Sequence, residues 1–107
     1  SKQDSEDAWK ILETCTWLYK YVPTNMPPDT IFFKNNDKPY IHDKIPDFRL
    51  RPETIESLYY AWRFTHNEYY RDMAYYIWEV IKTRTKQEYG YCCIRDVAEN
   101  PLSCDNE

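Results

Sequence analysis

The chain has no basic excess. Its formal net charge is −4, which removes the positive face that nucleic-acid binding needs, so no nucleic-acid partner is expected. It has no apolar run approaching the length of a membrane-spanning helix. It opens Ser1-Lys2-Gln3-Asp4, without the pattern of a secretory signal, as a cut-out or processed fragment also would. There is no Asn-x-Ser/Thr acceptor. No Cys-x-x-Cys pair or His/Cys cluster points to zinc. Glycine is nearly missing, with one residue, Gly90.

Aromatic residues are plentiful, at 18% with 11 Tyr and 4 Trp. Sugar clefts use aromatic faces, but helix–helix cores do too, and the core reading covers most of these rings. The 107 residues allow one domain at most. Adjacent cysteines rarely bond each other, so Cys92 or Cys93 with Cys104 is the expected local pair, closing a short loop. Cys15 is then left over with the other member, and buried free thiols are the plain alternative.

Apolar periodicity divides the chain. Ala8, Leu12, Cys15, Leu18 or Tyr19 and Val22 recur at helical spacing, predicting a helix over 4–22 with Asp4 or Ser5 as cap and Pro23 as stop. Residues 23–50 are proline-rich and contain Asn35-Asn36-Asp37. They read as a long irregular loop with a short extended piece at Thr30–Phe33. A loop of that length is uncommon unless it has a task. Pro52 opens a second helix over 52–65, with Ile55, Leu58, Tyr59 and Trp62 on its apolar face. Thr65-His66-Asn67 is a turn, and a third helix runs over 68–85. The short connection predicts an antiparallel hairpin. The remainder, 86–107, reads as an irregular tail, with a short strand or turn at Tyr89–Ile94. Tyr60, Phe64, Tyr75, Tyr76 and Trp78 lie off the main apolar faces, which predicts burial against elements beyond these.

The most informative stretch is Arg51-Pro52-Glu53-Thr54-Ile55-Glu56-Ser57. It puts two carboxylates three residues apart at a helix start, on one helix face and so expected to point into the same space, where unpaired N–H groups and the dipole favour negative charge. Such a pair suits a cation, an activated water or a sugar hydroxyl. Acidic residues are also ordinary in a first turn, and spacing alone favours that plain reading.

Resemblance tips the balance. Leu50-Arg-Pro-Glu-Thr-Ile-Glu-Ser-Leu-Tyr-Tyr60 resembles the signature of the class I α-1,2-mannosidases, glycoside hydrolase family 47. Ala8–Tyr19 is similar to a family helix bearing a disulfide cysteine, and Pro27-Pro28-Asp29 to a following Ser-Pro-Glu. Ala61–Thr65 with Tyr69-Tyr70-Arg71 resembles the hairpin after the signature, and Gln87–Val97 a Gly-Tyr-Ser…Asp-Val segment. The segments run in family order over nearly the whole chain.

The resemblance implies an all-α fold: helical hairpins forming part of an (α/α)7 barrel, with residues 1–107 a C-terminal fragment of that single catalytic domain. It implies an inverting, calcium-dependent enzyme that trims mannose from high-mannose N-glycans. Glu53 matches the general base. Glu56 matches a carboxylate that holds calcium-bound water and the terminal mannose. Arg51 and Pro52 match residues lining the same subsite, and Asp29 stands where the family has Glu, one methylene longer. Metal contacts of Glu53 and Glu56 to Ca2+ would run through water. Cys15 matches a cysteine whose partner lies outside this chain.

The general acid and the direct calcium ligand are expected on the remaining part of the barrel, on the same polypeptide or on a separate or nicked chain, so the isolated chain should be inactive. The implied location is the secretory-pathway lumen, in ER or Golgi, or outside the cell. Two other readings compete. One is a mannosidase-like glycan-binding protein of ER quality control, although Thr54-Ile55 and Tyr91–Val97 look more like the processing enzymes. The other is a small helical interaction module without sugar chemistry.

Overall fold

A computed structural model describes residues 1–35 and 38–105. The readings made above for Asn36-Asp37 and Asn106-Glu107 lie outside the described residues. Among the described residues, three helices make up about half: α1 (Lys2–Tyr21), α2 (Glu53–Thr65) and α3 (Glu68–Thr85).

α1 begins two residues earlier than periodicity predicts. Ser1, not Asp4 or Ser5, is the cap: its hydroxyl accepts from the Asp4 N–H at 3.2 Å, and Asp4 reaches back to the Ser1 amine. This reciprocal box satisfies donors that the first turn would otherwise leave open. The helix ends where expected. Val22 is extended, as the residue before a proline tends to be.

α2 and α3 pack as the predicted hairpin. His66 terminates α2 in the left-handed region, its N–H donating to the Trp62 carbonyl at 2.7 Å. Asn67 caps α3 by accepting from the Tyr69 N–H. Leu58 and Ile77 are fully buried at this contact, each stabilising by roughly 1.5–3 kcal/mol through removal of apolar surface from water.

The all-α expectation needs amendment outside the helices. Among the described residues, six two-residue strands form three antiparallel ladders: β1 (Phe32–Phe33) with β2 (Pro39–Tyr40), β3 (Lys86–Gln87) with β4 (Gly90–Tyr91), and β5 (Cys93–Ile94) with β6 (Cys104–Asp105). β3–β4 is a tight hairpin containing the one glycine. Gly90 takes φ +142°, a conformation side chains rarely adopt. Cys92 bonds Cys104, and Cys15 and Cys93 are free thiols.

The loop is ordered by the tail rather than by its own periodicity. Phe48 and Ile94 exchange backbone hydrogen bonds at 3.0 and 2.8 Å. The Val97 N–H donates to the Pro46 carbonyl at 2.9 Å, and the buried Thr24 hydroxyl donates to the Val97 carbonyl at 2.6 Å. Met26, Phe48, Ile94 and Val97 thereby join Tyr19, Leu58 and Ile77 in one core. Large apolar groups remain outside it, including Tyr59, Tyr60, Phe64, Tyr75 and Trp78.

Candidate functional site

The site forms where the loop meets the start of α2. Pro52 occupies the cap position, one residue before the helix, rather than the first helical position. Proline carries no side-chain cap, so the first turn is served by its acids, Glu53 and Glu56. Just upstream, Leu50 takes φ +58°, a genuine outlier for a bulky residue.

That turn places two donors on one carboxylate. Asp29 Oδ1 accepts the Arg49 N–H at 3.0 Å, and Oδ2 accepts Arg51 Nε at 3.0 Å. The Asp29 N–H donates to the Asp47 carbonyl at 2.8 Å. Arg49 Nε pairs with Asp47 Oδ2 at 2.6 Å. Asp29 is well shielded, with 14% of its side chain exposed, while Arg51 stays largely open to solvent. The electrostatics follow the contacts. The hydrogen bond from Arg49 holds the Asp47 carboxyl below its usual range, and Asp29 raises the Arg51 guanidinium above its own.

Two cavities meet at Glu53. One, of about 400 Å³, is lined by Tyr19, Asp29, Arg51 and Glu53 with Cys15 and Phe48. The other, of about 540 Å³, lies between α1 and α2, where Trp9, Tyr60 and Phe64 are part of a mainly apolar wall. The structure thus brings together Asp29, Arg51 and Glu53. Pro52 lines a neighbouring hollow with Arg51 and Trp78. Glu56 lines none of these three spaces and is exposed. Three residues advance a helix by about 300°, leaving about 60° between the two acids, enough to send one into the cavity and the other beside it.

Cys15 lines both larger cavities, and burial pushes its thiol pKa up. Sequence reasoning gave no role to Tyr19 beyond the apolar stripe, nor to Asp47 and Arg49. Cys15 and Tyr19 stand one turn apart, so they share a helix face. That spacing was the signal for Tyr19. For the Asp47–Arg49 brace there was none.

Comparison with known proteins identifies the family. The model for "Glycosyl hydrolase family 47" matches residues 1–107. A mannosyl-oligosaccharide 1,2-alpha-mannosidase of Arabidopsis thaliana, MNS1, is 33% identical over 92 residues, covering 86% of this chain and 15% of the relative. The human mannosyl-oligosaccharide 1,2-alpha-mannosidase IC is 30% identical over 104 residues, covering 95% of this chain and 16% of the relative. A Drosophila melanogaster mannosyl-oligosaccharide alpha-1,2-mannosidase IA is 31% identical over 105 residues, covering 90% and 14%. The chain therefore spans about a seventh of each relative's length, and with a family match that runs from its first residue to its last it belongs to glycosyl hydrolase family 47.

Proposed function

We propose that this chain is the base-bearing segment of an inverting α-1,2-mannosidase that trims high-mannose N-glycans in the secretory-pathway lumen or outside the cell. The observation that carries this reading is the position of Glu53. It stands at the first turn of α2, where two cavities meet, beside an arginine held in place by Asp29. The relatives' names supply the substrate class.

Inversion needs one carboxylate to take a proton from water and a separate acid to protonate the departing oxygen. Glu53 takes that proton. Its exposure leaves room for a water and a sugar on the cavity side. Arg51 presents a fixed positive group to the same space and donates to sugar oxygens. The acid comes from the rest of an (α/α)7 barrel, which also covers the aromatic groups exposed on α2 and α3. Turnover then belongs to the complete barrel, and the isolated chain is inactive.

The donor chemistry fits calcium. Glu53 and Glu56 offer hard carboxylate oxygens, the ligand type that ion takes. Among the described residues no group of three or more His, Cys, Asp or Glu side chains converges on a metal position. These two acids would hold the ion through water, with other ligands from outside the chain. When bound, calcium supplies a positive, oxygen-liganded centre for ordering hydroxyls and water.

The test is Glu53→Gln in the full-length polypeptide, with mannose release from a high-mannose N-glycan as readout. We expect loss of general-base catalysis, roughly 10²–10⁴-fold or more in kcat, with an unchanged unfolding midpoint. Near wild-type release would overturn the assignment.

A further inference from the structure

The geometry points to Tyr19 as a further contact of the glycan site, its phenolic O–H donating to a hydroxyl oxygen of the mannose bound beside Glu53. This inference rests on the carbohydrate reading of that site.

Tyr19 is 4% exposed. It comes from α1, not from the motif around Glu53, yet it lines the same cavity of about 400 Å³ as Asp29, Arg51 and Glu53. Hydrogen bonding within the described residues reaches it at the backbone: Asn25 Nδ2 donates to its carbonyl at 3.1 Å, and nothing engages the hydroxyl. The only sealed side-chain nitrogen or oxygen without a partner among the described residues is Trp62 Nε1. The Tyr19 oxygen is therefore not walled in, and the cavity that Tyr19 lines is where a partner can reach it. A Phe ring would fill the same core volume. A hydroxyl at the end of so buried a ring costs stability unless something in the cavity completes it.

The surroundings select that partner. Asp29 and Glu53 only accept hydrogen bonds and Arg51 only donates, whereas a phenol does both. A mannose carries neighbouring hydroxyls, so one can accept from Tyr19 while the next donates to the Glu53 carboxylate. Burial, then the charges of Asp29, Cys15 and Glu53, push the phenol up to about 12, which keeps the donor proton in place throughout the working range. Removing the hydroxyl from either side, protein or sugar, should cost the same bond.

The experiment pairs both removals. Affinity of the full-length polypeptide for the S-linked, non-hydrolysable analogue of α-1,2-mannobiose and for its monodeoxy derivatives is measured by calorimetry, for wild type and Tyr19→Phe. Wild type should bind one deoxy sugar roughly three- to tenfold more weakly than the parent, the effect of one neutral hydrogen bond. Tyr19→Phe should bind the parent more weakly by a similar factor and no longer distinguish that deoxy sugar from it. A merely structural tyrosine would leave the discrimination intact. That result, or unchanged parent affinity, overturns the inference. So does a wild type indifferent to every deoxy position, which is read without any variant. Full mannose release by Glu53→Gln overturns the base assignment instead and leaves this binding cycle readable. A polypeptide that binds no mannoside overturns both.

Discussion

The α2–α3 hairpin and the segment 23–52 are built by different rules. The hairpin is local. Its apolar stripe, its His66 and Asn67 caps and its two-residue connection lie within 33 residues, from 53 to 85. The loop is held from afar. Thr24 reaches Val97 across 73 positions, Phe48 pairs with Ile94, and Asp29 collects Arg49 and Arg51 from 20 and 22 residues away. The hairpin supplies a rigid platform. The loop decides what faces the cavity on its end. Damage to the first should unfold the chain, and damage to the second should misplace the site.

The largest effect should come from the hairpin. Ile77 of α3 is completely buried in the core, so Ile77→Ala should cost about 2–5 kcal/mol of unfolding free energy through lost transfer and a cavity. Denaturant unfolding followed by circular dichroism reads this out. A loss below about 1 kcal/mol would mean that the hairpin is not the platform.

Asp29→Asn should be milder for stability and sharper for the site. It replaces a carboxylate that accepts two hydrogen bonds with an amide bearing one acceptor oxygen. Stability should fall by about 1–3 kcal/mol. Mannoside binding should weaken in parallel with Arg51→Ala, and the double variant should lose little more than either single one. Additive losses would separate Asp29 from Arg51 and break the comparison.

The smallest effect concerns acid. Asp47 has its carboxyl held low by the Arg49 hydrogen bond. A folded value below the unfolded one means that the pair stabilises fully above about pH 3.9 and loses that contribution as pH falls through the folded value. Arg49 is mostly exposed, so solvent screening keeps the effect small. Urea midpoints taken from pH 6 downward should fall more steeply for wild type than for Asp47→Asn. Identical slopes would place the loop's order in its backbone ladder alone.

Much of the fold was legible because it is periodic. Ile55, Leu58 and Trp62 mark a helix face wherever they occur at that spacing, and α2 and α3 follow the predicted limits to within a residue. α1 was misjudged at its start because Asp4 is as good a cap by type as Ser1. The choice fell to the reciprocal bond between them. Cys104 was legible as a disulfide half. Whether Cys92 or Cys93 joined it was not, since neighbouring residues differ only in which way they point.

Of the site, the first-turn acids were visible as a motif. That Glu53 enters a cavity and Glu56 lies beside it was not, because helix spacing gives an angle without saying what stands opposite. Tyr19 looked like one more ring on an apolar stripe.

The order of the chain by itself determined three helices, a hairpin, a carboxylate at the head of α2 and the family. These depend on neighbours within one or two turns, whose spacing repeats. Only the tertiary structure decided that Asp29 braces Arg51, that the tail orders the loop, and that Tyr19 from α1 shares a cavity with Glu53 from α2. Those are meetings of residues 20 to 73 positions apart. Burial and hydrogen bonding select such meetings by their combined free energy in the folded state, and no local pattern encodes that sum.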